Sequence, residues 1–192
     1  MDMLKSQCIS FMEKKRYSTM VVLNEQIDIC APYEKLAFWV SNFEEEFVKW
    51  SPYHIECELF NGGHNVGDRI RFREIVMNLD YNVTGTIIES EEDENHFRFV
   101  FQSDKKTAFI TFEGKRTEEG CHFSHTEAFG MTTFIIGHII NFLIFKVFFR
   151  KKADWKAIRN DMILDNQYLD KILTDGKYPD RIPIEELLKD AK

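Results

Sequence analysis

The stretch QIDICAPYEKLAFWVSNFEEEFVKWSP, residues 26–52, changes period twice. It leaves a strand-like run, STMVVLNEQIDI (18–29), at Ala31-Pro32. Proline suits the first turn of a helix, because its fixed φ is helical and the N–H it lacks would have no partner there. PYEKLAFWVSN (32–42) and FEEEFVKW (43–50) therefore read as two short helices, and Pro52 ends the second. A strand followed by a helix pair raises the question of what those helices pack against.

Downstream lies a run of strands. HIECELF (54–60) ends at Asn61-Gly62-Gly63, a turn signal. RIRFREIV (69–76), LDYNVTGTIIES (79–90), NHFRFVFQS (95–103), TAFITFEGKR (107–116) and GCHFSHTEAFG (120–130) follow, parted by short turns. Helical periodicity returns in WKAIRNDMILDNQYLDKIL (155–173), where Trp155, Ile158, Met162, Leu169 and Ile172 form one apolar stripe. Gly176 and Pro179 stop that helix, and IPIEELLKDAK (182–192) adds a short surface helix. The expected class is α+β, an antiparallel sheet whose apolar face is covered by the last amphipathic helix. Residues 1–17 read as an N-terminal extension, 18–173 as the domain and 174–192 as a C-terminal tail.

This order, with IDICAPYEKLAFWVSN and a Trp-containing turn at its front and FSHTEAFG before the last helix, resembles the START-like or Bet v 1-like superfamily. Bacterial members of that superfamily are called SRPBCC or polyketide cyclase/dehydrase-like proteins. The resemblance spans residues 18–173. It implies a helix-grip fold, in which a curved antiparallel sheet wraps around a long C-terminal helix and encloses a ligand cavity. Members include lipid and hormone carriers, cyclases and a few hydrolases, so the fold alone does not name a function.

Composition narrows the partners. The 192 residues carry a net charge of −7, and a nucleic-acid partner is not expected from so acidic a chain. The 18 phenylalanines either line a cavity or fill a solid core. Cys8, Cys30, Cys57 and Cys121 show no CxxC spacing and read as reduced thiols of a cytoplasmic protein. The N-terminus lacks an apolar run long enough for a signal peptide. MTTFIIGHIINFLIFKVF (131–148) is nearly all apolar, but His138, Asn141 and Lys146 are costly at mid-bilayer. That segment reads as a buried or interfacial helix, with KVFFRKK (146–152) placed to meet anionic headgroups; peripheral membrane contact through 131–152 is one expectation.

Strand alternation then sorts the polar residues. In RIRFREIV, Arg69, Arg71 and Arg73 share a face that must be wet, which turns Glu74 inward with Ile70, Phe72 and Val76. In CHFSHTEAF, Phe123 and Phe129 carry His125 and Glu127 inward, while His122, like His96, falls on the outer face. On the last helix the stripe 155, 158, 162, 165, 169, 172 is apolar except at Asp165, and Asp161 lies one turn earlier on its edge. A carboxylate on a core-facing stripe is costly unless paired, protonated or metal-bound.

Two functions follow. The first is binding of a hydrophobic or aromatic small molecule, lipid or polyketide-like, in a cavity walled by Phe72, Tyr81, Phe123, Phe129 and Ile158. Glu74, His125 and Asp165 would orient its polar atoms. The second is a metal-assisted hydrolase or lyase acting on an aromatic ketone or polyketide-like substrate. His54, Glu74, Asp161 and Asp165 would hold one divalent ion, and His125 with Glu127 would form an acid/base pair. A more distant resemblance, to the zinc-dependent phloroglucinol hydrolases, implies a His after a Trp, a strand Glu and a helical HxxxE as ligands. His54 in WSPYH matches the first and Glu74 the second, but DMILD (161–165) puts DxxxD in place of HxxxE, a harder ligand set suited to Mg, Ca or Mn. Plainer readings stand beside these: His54 as a turn histidine bonded to backbone, Glu74 paired with His125 or an arginine, Asp161 solvated, His64 exposed and His138 buried.

Overall fold

The computed structural model describes residues 20–63, 65–76, 78–131, 137, 139–141, 143 and 155–190. Residues 1–17, His64, His138 and the basic run 146–152, on which expectations rest, lie outside the described residues, as does most of 131–148. Strand β1 (Val21–Ile29) alternates half-buried and exposed positions along its length. Helices α1 (Tyr33–Ser41) and α2 (Phe43–Trp50) follow. Asn42 joins them: its N–H reaches the carbonyls of Phe38 and Trp39, and its own carbonyl accepts from Glu45 and Glu46. Glu44, Glu45 and Glu46 fill the first turn of α2, where negative charge complements the helix dipole.

Six further strands, β2 (His54–Leu59), β3 (Arg69–Val76), β4 (Leu79–Glu92), β5 (His96–Ser103), β6 (Ala108–Arg116) and β7 (Cys121–Phe129), complete one antiparallel sheet of order β1-β7-β6-β5-β4-β3-β2. The last strand closes beside the first, with His125 opposite Glu25 on β1 and Phe112 on β6. Bulges at His54/Glu56 and Ile87/Glu89 break the register of β2 with β3 and of β4 with β5; such breaks bend strands and add local twist. Helix α3 (Trp155–Asp175) packs against β1, β7 and α2. It stops at Gly176, whose φ of +67° closes an αL-type end in which Gly176 N–H bonds Ile172 O, and Lys177 N–H bonds Lys171 O beside it. Helix α4 (Ile184–Asp190) ends the described chain. The expected α+β class, sheet and covering helix are all present.

Between helices and sheet the phenylalanines fill space. Trp39, Phe43, Phe47 and Trp50 meet Phe72, Phe97, Phe99, Phe101, Phe112 and Phe123 of the sheet in one buried cluster. Trp39 and Trp50 stand edge to face at 4.9 Å, and Phe43 meets Phe72 and Phe99 the same way at 6.0 and 5.8 Å. Gly114 lets α1 close on the sheet, since a Cβ there would enter the Phe97 ring and sit 2.9 Å from Leu36. Of the two uses open to so many aromatic rings, the filled core is the one found at this end of the grip.

The arginine face of β3 is wet: Arg69 pairs with Asp104 at 2.8 Å, Arg73 with Asp80 at 2.8 Å, and Arg71 with Glu56 and Glu58. His96 and His122 likewise pair on the outer side, with Glu113 at 3.1 Å and Asp28 at 2.6 Å. That outer side is not wholly polar, however. Val100, Phe109 and Ala128 form a second buried cluster there, with Met20 and Ile88 against it, where a single apolar face was expected.

Candidate functional site

The turn after α2 delivers His54 as the first residue of β2, with its N–H on Ser51 O at 3.2 Å. Its ring lies flat on Phe47, 4.0 Å between centroids and 4° between planes. His54 Nδ1 lies 2.8 Å from Phe47 O, so Nδ1 carries the proton and Nε2 points the other way. There Nε2 meets two carboxylates, Glu74 Oε2 at 3.3 Å and Asp165 Oδ2 at 3.4 Å. Glu74 is His54's cross-strand partner on β3. Asp165 comes from α3, anchored where the Trp50 indole N–H donates to its main-chain carbonyl at 2.6 Å. Asp165 stays 4 % exposed within the stripe otherwise formed by Met162, Leu169 and Ile172.

From the opposite side β7 contributes His125 and Glu127. The His125 ring is buried 4.7 Å from Phe112 and 6.0 Å from Trp50. Its Nε2 is 3.3 Å from Glu127 Oε1 but off the axis of a hydrogen bond, and among the described residues neither ring nitrogen has a hydrogen-bond partner. Asp165 Oδ1 is also buried without one. These side chains and Asp161 surround a cavity of about 20 Å³, measured as room for the centres of water molecules, which is space for about one water. Phe47, Trp50, Phe72, Ile110 and Phe112 complete its wall. Glu74 and Glu127, with side chains 22 % and 16 % exposed, form its wetter side.

The electrostatics follow from this packing. Burial disfavours charge on His54, but the Asp165 charge and hydrogen bond, with help from Glu74, outweigh it and lift the imidazole to about 10. Burial first, and then the charges of Asp165 and Glu74, push the Asp161 carboxyl up to about 8, with His54 pulling the other way. The imidazolium of His54 is thus the cation between Glu74 and Asp165. The described residues contain no group of three or more His, Cys, Asp or Glu gathered as metal ligands. His54 Nε2, Glu74 and Asp165 converge with Asp161 on one cavity, so the four side chains matched above to a divalent ion are brought together there.

Of the expected apolar wall, Phe72 lines the cavity. Phe123 lies behind it in the solid core, stacked on Phe112 at 6.0 Å. Tyr81 is 43 % exposed opposite Glu74, Phe129 packs on Trp155 at 5.4 Å, and Ile158 is half-buried; none of the three is among the residues lining the cavity. Glu74 pairs with His54 rather than with His125 or an arginine. In the segment 131–152, the Asn141 amide bonds both main-chain groups of Met131, at 2.7 and 2.8 Å. No helix among the described residues is long and apolar enough to cross a membrane.

Several lining residues went unread in the sequence. Phe47 and Trp50, three apart on α2, share a helix face, and Ile110 and Phe112 share the strand face opposite His125; periodicity alone could have found both pairs. Arg181 gave no signal. From the tail, its Nη1 donates to the carbonyls of Val48, Ser51 and His54, the last at 2.8 Å, so one guanidinium ties down the turn that carries His54. Ile182, Leu187 and Leu188 pack on Ile55 and Ile75 beside it. Arg181→Ala is expected to cost about 1–2 kcal/mol, the worth of charged hydrogen bonds to carbonyls at a partly wet site. Amide exchange at residues 51–55 should accelerate in that variant while exchange in β5 and β6 stays slow; unchanged exchange would mean that the arginine does not hold the turn.

No protein-family model matches the chain, and no curated protein matches it. Solved structures do. The major latex-like protein 151 of Panax ginseng superposes with a TM-score of 0.58 at 9 % identity, over 81 % of this chain and 99 % of that one. A START superfamily protein from Mycobacterium smegmatis gives 0.54 at 12 % identity, over 81 % and 99 %. The Aha1 dimer from Colwellia psychrerythraea gives 0.53 at 16 % identity, over 82 % and 99 %. Identities this low speak for architecture, and the architecture is shared nearly end to end by those chains: this chain has the START-like, Bet v 1-like helix-grip fold.

Proposed function

We propose that the chain binds a small hydrophobic or aromatic molecule by seating its polar end in the cavity between α3, β3 and β7. The observation that carries this reading is the pair of buried groups without hydrogen-bond partners, the His125 ring and Asp165 Oδ1, on the wall of a cavity ringed by Phe47, Trp50, Phe72 and Phe112. Each such group costs about 1–3 kcal/mol when left unpaired. A core with room for ten aromatic rings could have spared that cost with one more, and a ligand group that bonds them removes it. Binding sites have this make-up, mostly apolar with a few converging polar atoms. The resemblance to carriers of lipids and hormones points the same way. The cavity admits a head group of about one heavy atom, so the ligand's body would lie on the side of Glu74 and Glu127, where the wall is open.

The full chain, purified from the cell that makes it and sprayed under native conditions, is expected to carry a one-to-one organic adduct that solvent extraction releases. Asp165→Leu, which fills the cavity with an apolar side chain, should be isolated without it. A protein that shows only its polypeptide mass, and whose extract holds nothing above the background of the Asp165→Leu preparation, would end the proposal.

A further inference from the structure

The lining of the cavity also bears on the class of head group it takes. Four acidic side chains (Glu74, Glu127, Asp161 and Asp165) face it against two imidazoles, and neither lysine nor arginine lines it. The hydrogen-bonding capacity left over at Asp165 belongs to an acceptor, its Oδ1. His54, the one imidazole held between carboxylates, already has both nitrogens turned to partners, the Phe47 carbonyl on one side and Glu74 with Asp165 on the other. The remaining walls are Phe47, Trp50, Phe72, Ile110 and Phe112, and aromatic rings attract cations at their faces. A carboxylate or phosphate head would enter a site with acidic side chains on three elements, α3, β3 and β7, and would find only His125 to receive it. An ammonium group is close to water in size, which is the size of the space, and its three N–H donors match acceptors that surround it.

We propose that the head group this cavity takes is a protonated primary amine borne on an apolar or aromatic body. The proposal rests on the small-molecule binding reading above and names its ligand class. The amine nitrogen would donate to Asp165 Oδ1, to a ring nitrogen of His125 and to Glu127, which gives the two unpartnered groups on the wall their hydrogen bonds. Recognition is by charge sign and size together: an alcohol of the same shape fits but brings one donor and no charge, and an acid of the same shape is repelled.

Calorimetric titration of the full chain with three matched probes tests this. Phenethylamine, 2-phenylethanol and 3-phenylpropionate share a body and differ in the head. At pH 7 in chelator-treated buffer the amine is expected to bind at least tenfold more tightly than the alcohol, and the acid not to saturate. Asp165→Asn, which keeps the shape, should weaken the amine at least tenfold and leave the alcohol within twofold; Glu127→Gln, on a strand rather than the helix, should weaken the amine in the same sense if Asp165→Asn fails to fold. Alcohol or acid binding as tightly as the amine would overturn the amine proposal and leave small-molecule binding standing. Amine binding that appears only after a divalent metal is added, amine binding untouched by both substitutions, or no binding of any probe would also overturn it. None of these outcomes bears on the co-purification experiment, which judges the parent reading alone.

Discussion

Replacing His54 with alanine is expected to lower the unfolding free energy by about 3 kcal/mol at pH 7, the usual cost of leaving buried charges without their counter-ion. For a chain of this length that corresponds to a fall of roughly 10 °C in Tm. The reason lies in the distances. His54 Nε2 is 3.3 Å from Glu74 and 3.4 Å from Asp165, and no lysine or arginine lines the cavity to replace it. Packing is a second contribution, since the ring stacks on Phe47 at 4.0 Å. His54→Phe separates the two, because it keeps a flat ring on Phe47 and removes only the charge and the bond to Phe47 O. If charge dominates, His54→Phe should be nearly as destabilised as His54→Ala; a His54→Phe protein as stable as the parent would show that the ring is there to pack.

The pH dependence gives an independent check. The folded imidazole titrates near 10 and the unfolded one near 6.5, so between those values the folded state holds a proton that the unfolded state has lost. Rising pH therefore destabilises the fold through this group. The contribution of His54 is complete below pH 6.5 and is lost as pH climbs through 10, and the stability gap between parent and His54→Ala should narrow across that window. A gap that stays constant from pH 6 to 9 would mean that the imidazole is neutral in the fold.

How far this site could be read in advance varies from residue to residue. Glu74 was turned inward by its neighbours, because three arginines on one strand face must reach water and alternation then leaves no choice for residue 74. Asp165 stood out as the one break in an apolar helical stripe, and His125 and Glu127 followed Phe123 and Phe129. The fold was legible for a related reason: strand and helix periods are local, and turns at Pro32, Pro52, Asn61-Gly62-Gly63 and Gly176 mark where they change. What periodicity does not carry is volume. Whether the aromatic rings line a space or fill it depends on how the helices seat against a bent sheet, and on contacts such as Trp50 to Asp165 that span 115 positions. Phe129 and Ile158 lie on inward faces, and Tyr81 stands with them on the expected wall, but strand ends and helix ends can lie beyond a cavity, as these do. The role of Arg181 was hidden for a similar reason, since its partners are main-chain carbonyls, which are present at every position.

Asp161→Asn should have the opposite effect to His54→Ala, and its size should depend on pH. The folded carboxyl is held near 8, by burial and then by the charges of Asp165 and Glu74, against 3.8 for an unperturbed one. Between pH 4 and 8 the folded state binds a proton at Asp161 that the unfolded state does not, so stability falls as pH rises across that interval. Asparagine has the shape of the protonated side chain and never ionises, which removes this loss. Below pH 3.8 the variant and the parent should agree to within about 0.5 kcal/mol, because the parent carboxyl is then neutral in the folded and the unfolded state alike. At pH 8 the variant should be the more stable by about 2 kcal/mol, or about 5 °C in Tm; this is less than the full pKa difference implies, because Asp161 keeps some contact with water. Thermal unfolding of both proteins at half-unit steps from pH 3.5 to 9 measures the divergence. Two parallel profiles would show that Asp161 is ionised throughout and that the cavity does not hold the proton assigned to it. Profiles that separate would show the acidic wall straining against its own charge, at the place where a cation would relieve it.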